Sequence, residues 1–267
     1  YYLQGLYEKS MPYLEKALEK TPKDLQRIRD YAKLAKDSQQ WDFAIKFYSK
    51  SVEIDKRDYV GLNNIGLGLE ALQKFEQAKP YYERSLKIKP NYSAYHNLGV
   101  WYRRSRDFEK SITYLKRALQ FQPNNIDTHT SLGMSYLSMR DFENGYKYYK
   151  HRCPDIKARF LNEWQGEEHK DSNLLIYFDG GRGDQLMFCR YLPFIKEKFK
   201  NVKFLVYPEL KALFESNYPD INIYTVDEKY DYQYSVNLME LHYALTKKPF
   251  AKAKLNGANL FLVIYIL

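Results

Sequence analysis

Between residues 25 and 152 the apolar positions recur at intervals of three and four, which gathers them on one face of a helix. The pattern also repeats at longer range. "LQRIRDYAKLAKDSQQWDFAIKFYSKSVEIDKRD" (25–58), "YVGLNNIGLGLEALQKFEQAKPYYERSLKIKPN" (59–91), "YSAYHNLGVWYRRSRDFEKSITYLKRALQFQPNN" (92–125) and "IDTHTSLGMSYLSMRDFENGYKYYKHR" (126–152) align in register. In each, a large apolar or ring residue precedes an apolar and a small one: Ile28/Tyr31/Ala32, Leu62/Ile65/Gly66, Tyr95/Leu98/Gly99 and His129/Leu132/Gly133. An aromatic then follows a polar turn, at Trp41, Phe75, Phe108 and Phe142. A second helical stripe comes next, as in Ala78/Tyr82/Ser85 and Ser111/Leu115/Ala118. The small residue lets the second helix approach closely, and the ring fills the gap between them. Pro90 and Pro123 are expected to end second helices, and Pro22 to close a partial repeat at the start, residues 1–24. Each unit is therefore a helix pair, and the pairs stack into an α superhelical solenoid over residues 1–152.

After Cys153 the helical period stops. Residues 153–172 read as an irregular connector, marked by Trp164 and Gly166, with the Trp expected to anchor it to the next domain. Strand-length apolar runs then alternate with helical ones. "NLLIYF" (173–178), "VKFLVY" (202–207), "INIYTV" (221–226) and "DYQYSV" (231–236) predict strands. "DQLMFCRYLPFIKEKF", "PELKALFESN" and "NLMELHYAL" predict helices, with Pro193 a kink or an end. That alternation predicts a parallel sheet, a Rossmann-like α/β partial domain over residues 173–267. Gly180, Gly181, Arg182, Gly183 and Gln185 fall at the carboxyl end of its first strand, where open α/β sheets bind ligands. Asp184 falls near the start of the next helix, where a carboxylate suits the helix dipole or caps the end. The loop is neither a dinucleotide fingerprint, since Leu186 takes the third glycine's place, nor a P-loop, since no Gly-Lys-Ser/Thr follows.

The repeat resembles the tetratricopeptide repeat, at a period of 34 residues with one repeat of 33. The incomplete first repeat reads as truncation, and Gly145 and Arg152 depart from the pattern in the last one. In this family the first helices line a concave face that binds proteins or peptides. The sixth positions there are Asp30, Asn64, Asn97 and Ser131. Asparagine donates and accepts at once and can hold a peptide backbone without reading its sequence. "NNIG" (63–66) and "HNLG" (96–99) resemble the asparagine ladder of O-linked N-acetylglucosamine transferases. Arg29, Lys33, Lys36, Arg103 and Arg104 are expected on the same face and would favour an acidic or phosphorylated segment.

Four blocks, "FENGYKYYKHR" (142–152), "EWQG" (163–166), "LLIYFDGGRGDQLMFCRYLP" (174–193) and "FLVYPELKALFES" (204–216), resemble bacterial tetratricopeptide proteins fused to a glycosyltransferase of the two-Rossmann (GT-B) type, related to heptosyltransferases. The family loop reads Gly-Leu-Gly-Asp-Thr, where this chain has Gly181-Arg182-Gly183-Asp184-Gln185. By position the resemblance makes Asp184 a candidate base for an acceptor hydroxyl; a helix cap is the other reading. A GT-B enzyme also needs a second half to bind its nucleotide-sugar donor. The tail "TKKPFAKAKLNGANLFLVIYIL" does not continue the pattern; it reads as a frameshift, a premature stop or an edge strand. The expectation is a protein-binding module attached to an acceptor-like half that is not catalytic alone. The alternative is a glycosyltransferase working with a separate donor domain.

Charge and composition narrow the rest. The basic excess lies wholly in residues 1–152, with 27 Lys+Arg against 18 Asp+Glu, while the remainder is balanced. No nucleic-acid motif accompanies it. Cys153 and Cys189 form no metal or redox spacing, so neither a metal nor a cofactor is expected and a cytoplasmic setting is. The longest apolar run, Leu260 to Leu267, is far shorter than the ~20 residues that span a membrane.

Overall fold

The computed structural model describes residues 7–20, 22–152, 160 and 162–246. The start of the partial first repeat, Cys153 with most of the following connector, and the apolar tail within 247–267 lie outside the described residues. The chain forms two compact units that divide between Met139 and Arg140.

The first unit is a run of helices, α1 (Tyr7–Lys20), α2 (Leu25–Asp37), α3 (Trp41–Ile54), α4 (Tyr59–Ala71), α5 (Phe75–Ile88), α6 (Tyr92–Arg104), α7 (Phe108–Phe121) and α8 (Ile126–Ser138). Every complete repeat opens its first helix with a side-chain cap. Asp24, Asp58, Asn91 and Asn125 each accept a hydrogen bond from the backbone N–H three residues on. Such a cap supplies one of the acceptors that the first turn of a helix lacks. The turn into each second helix passes through a left-handed residue: Gln39, Gln73, Arg106 and Arg140, at φ 59°, 61°, 61° and 61°. None is glycine, so the sequence marks these turns only by the aromatic that follows.

The packing is the one expected from the small residues. A Cβ on Gly66 would lie 2.5 Å from the Tyr82 ring, and one on Gly99 would lie 2.6 Å from Leu115. Ile28, Ala32, Leu62, Leu98, Tyr82, Leu115 and Leu132 are fully buried along the inner seam. Two serine hydroxyls in that seam are satisfied by backbone carbonyls. Ser111 Oγ donates to the Gly99 carbonyl at 2.8 Å, and Ser85 Oγ to the Tyr59 carbonyl at 2.8 Å. Pro90 and Pro123 follow the ends of α5 and α7 as expected, whereas Pro80 is accommodated inside α5.

The second unit begins with α9 (Phe142–Tyr149), one helix earlier than the expected boundary after Arg152. A four-stranded sheet comes next, from β1 (His169–Tyr177), β2 (Phe199–Leu205), β3 (Asn222–Tyr224) and β4 (Tyr234–Asn237). All neighbours are parallel, in the order β3-β2-β1-β4. Connecting helices are α10 (Arg182–Phe188), α11 (Lys211–Asn217) and α12 (Leu241–Thr246). The long helix expected after the glycine loop stays α-helical only to Phe188 and continues as tight 3-10 turns, Cys189–Phe194 and Lys196–Lys198. Pro193 lacks the N–H a longer α-helix would use there.

Both sheet faces are covered, which accounts for the continuous apolar runs. Leu174, Ile176, Val202, Phe204 and Val236 pack with Phe188, Leu192, Phe214 and Leu241. Leu175, Tyr177 and Leu205 pack with Phe160, Tyr224, Tyr230 and Tyr232. Trp164 anchors its segment as expected: it is buried, its N–H donates to the Ser235 carbonyl at 2.7 Å and its Nε1 to the Glu167 carbonyl at 2.7 Å.

Candidate functional site

First helices of successive repeats touch, α4 with α6 and α6 with α8, and polar side chains join them. Asn97 Nδ2 donates to Asn63 Oδ1 at 3.1 Å, so the ladder residue of one repeat is oriented by a buried amide of the previous one. Asn64 Nδ2 donates to its own helix, at the Val60 carbonyl, 3.0 Å away. Both amides are half-buried, and among the described residues neither Oδ1 accepts a hydrogen bond. Each is thus aimed by its donor end, leaving an acceptor for a peptide N–H. The outer ladder positions differ: Asp30 accepts from Gln26 Nε2 at 3.0 Å, and the Ser131 carbonyl accepts from Ser135 Oγ at 2.9 Å. The amino-acid pattern did not single out Asn63; its position beside Asn64 in "NNIG" was the available signal.

The five expected groove cations do not behave alike. Arg29 is drawn into a link between repeats, with Nε on Asp58 and Nη2 on Asp55, both at 3.0 Å. The Asp58 cap is buried and takes that guanidinium as its counter-charge. Arg104 lies 3.9 Å from Glu70 and over the Phe75 ring, and Lys36 lies 3.6 Å from Asp37. Lys33 is exposed. Arg103 is half-buried, and among the described residues its side chain has no hydrogen bond or ion pair.

In the second unit the glycine loop follows β1. Asp184 is the third residue of α10, not its cap; its Oδ2 reaches back to accept the Gly181 N–H at 2.7 Å. A Cβ on Gly180 would lie 2.4 Å from that oxygen, so any larger residue there displaces the Asp184 carboxylate, while at Gly183 a Cβ would meet nothing within 4 Å. Arg182 is exposed, pairs with Glu209 at 2.7 Å and lies over the Tyr207 ring. Gln185 departs from the expectation of a ligand-facing residue. It is fully buried, its Nε2 donating to the Leu205 carbonyl and its Oε1 accepting the Tyr207 N–H, because the end of β2 leaves those backbone groups unpaired.

The sheet order reverses at β1, between β2 on one side and β4 on the other. At the carboxyl ends of β1 and β4 sit Asp179 and Asn237, neither singled out from sequence. Arg152 Nη2 donates to Asp179 Oδ1 at 2.7 Å, with side-chain exposures of 9% and 0%. Burial opposes the Arg152 charge, yet Asp179 holds its pKa above the ordinary value. Asn237 Oδ1 accepts the Met239 N–H at 2.9 Å. Asp179 Oδ2 and Asn237 Nδ2 have no partner among the described residues. The readable signal was an acid placed directly after a buried strand. A cavity of about 340 Å³ elsewhere in this unit is lined by Glu143, Glu163 and Glu240 together with Lys147 and Lys150, a mixture that selects no single ligand charge. Among the described residues no cluster of His, Cys, Asp and Glu is placed to hold a metal, and no helix is long and apolar enough to cross a membrane.

Capped helix pairs with interlocked small and large residues define the first unit as a helical-repeat solenoid. Residues 59–124 match the tetratricopeptide repeat family. Solved structures with a similar fold include a crystal structure of MamA, at TM-score 0.52 and 19% identity over 59% of this chain and 94% of that one. A second MamA structure gives 0.51 and 19%, over 60% and 88% of the two chains. A MamA RS-1 double mutant gives 0.51 and 17%, over 58% and 88%. At these identities the likeness shows the fold. Comparison with curated proteins gave no significant match.

Proposed function

We propose that the repeat unit binds an extended protein or peptide segment along its first helices, in a cytoplasmic setting. One observation carries this: Asn64 and Asn97 are oriented by their donor ends and keep open acceptors on neighbouring first helices. An acidic segment suits the site best, since the whole positive excess of the chain falls in residues 1–152. The test is affinity selection with the full chain, followed by Asn64→Ala with Asn97→Ala. Capture should weaken about tenfold, as for two lost backbone contacts; unchanged affinity removes the reading.

A second reading concerns the α/β unit. Its strand order and the glycine loop at the carboxyl end of β1 support a Rossmann-like, GT-B glycosyltransferase-like acceptor half, as in bacterial fusions, with Asp184 facing an acceptor hydroxyl. It is proposed not to transfer sugar alone, and to use a nucleotide-sugar only if a donor-binding half is supplied. Hydrolysis of a nucleotide-sugar by this chain, abolished by Asp184→Ala, would instead make the chain an enzyme in its own right.

A further inference from the structure

Arg103, in the last turn of α6, has no hydrogen bond or ion pair among the described residues. Thr128 Oγ1 donates its single proton to Asn125 Oδ1 at 2.9 Å. The same oxygen must therefore accept from Tyr92 OH at 2.9 Å and from His96 Nδ1–H at 2.8 Å. This run of hydrogen bonds places a ring proton on Nδ1, and burial holds the His96 pKa below its ordinary value. The charge of Arg103, further along α6, opposes protonation of the His96 ring.

Among the described residues no carboxylate pairs with Arg103. Its Nε is buried without a partner. Burial first, and then the like charge of Arg104, push its pKa below the ordinary value. Arg103 and Arg104 both stand in the last turn of α6, where the helix end carries about half a negative charge. Glu70 supplies one carboxylate, at 3.9 Å from Arg104. Two guanidiniums against one carboxylate and a helix end leave a surplus of positive charge. It sits on a half-buried fork whose remaining nitrogens can take an oxyanion.

We infer that Arg103 is an anion-binding anchor of the first-helix face, receiving a carboxylate or phosphate oxyanion of the bound segment. This deepens the peptide-binding reading and names one residue for the charge recognition: Arg29 and Arg104 have acidic partners within the fold, Lys33 is exposed, and the half-buried Arg103 has no acidic partner among the described residues. The anion lies against the Arg103 fork, with Arg104 supplying the second positive charge.

The test uses the full chain and the arginine Nε–H signals in its NMR spectrum, titrated at constant ionic strength with inorganic phosphate and, separately, acetate. The Arg103 signal should move saturably with one or both, the tighter anion telling phosphate from carboxylate. Equal, unsaturable movement of every arginine signal overturns the inference. An acetylated Glu–Gly repeat peptide is then compared with its Gln–Gly counterpart. Arg103→Gln should weaken the Glu–Gly peptide about tenfold, the loss of one charge-assisted contact. Arg103→Lys, which keeps the charge but loses the fork, should fall between, and guards against a folding defect in the Gln variant. If both peptides bind equally and Asn64→Ala with Asn97→Ala weakens both, the peptide face stands and the anion anchor fails. If phosphate saturates Arg103 but neither peptide binds, the anchor stands and the peptide face fails.

Discussion

At the scale of single residues, the repeats are controlled by where a side chain is missing. Gly66 faces the buried Tyr82 ring so closely that a methyl group cannot be added without moving one of two packed helices. Gly66→Ala should therefore destabilise the repeat unit by about 1–3 kcal/mol through overpacking. Urea unfolding of the full chain measures this. Gly183→Ala is the matching control, since a Cβ there meets nothing; it should stay within about 0.5 kcal/mol of the parent. Both glycines were visible in sequence, one as a repeat position and one as part of a loop. Which of them is required by space was not, because that depends on a neighbour sixteen residues away in one case and on open solvent in the other.

Single elements are set by their ends and by the seams between them. The turn from α4 to α5 passes through Gln73 in the left-handed region. That conformation costs an ordinary residue about 1–2 kcal/mol, and glycine gives back part of the gain through its own flexibility, about 0.5–1 kcal/mol. Gln73→Gly should stabilise the unit by up to about 1 kcal/mol, readable as a higher urea midpoint with unchanged slope. In the α6–α8 seam, His96 is held below its ordinary value of 6.5, by burial first and by Arg103, with Asp127 acting in the opposite sense. The unfolded chain takes up this proton near 6.5, and the folded chain does so only at lower pH. Between those values the unfolded state binds more protons, so stability should rise with pH up to about 6.5 and then level. Denaturation across roughly pH 5 to 8 should show this slope, and His96→Gln should flatten it.

On the scale of the whole molecule the chain divides into two compact units, each with its own buried residues. Asp179→Ala leaves Arg152 buried without its partner, and should cost the α/β unit about 3–5 kcal/mol. Calorimetry should show one transition lowered and the repeat transition unmoved. Arg152→Met with Asp179→Leu should recover most of the loss, since a packed apolar pair avoids the desolvation of both charges. The three-to-four periodicity and the continuous strand-length apolar runs, read along the chain, determined by themselves that helix pairs come first and parallel strands come second, because a one-sided buried face recurs at the helix pitch and a strand buried on both faces is apolar throughout. They also placed the glycine loop at a strand end and Asn64 and Asn97 on first helices. Tertiary structure alone decided that α9 belongs with the sheet and that Arg152 meets Asp179 and Asn237. It alone decided that Gln185 is buried, and that among the basic residues expected to greet an acidic partner Arg29 is already engaged while Arg103 is not. Those outcomes turn on which distant group comes within a few ångströms of a charge or an amide, and local spacing carries no record of that distance.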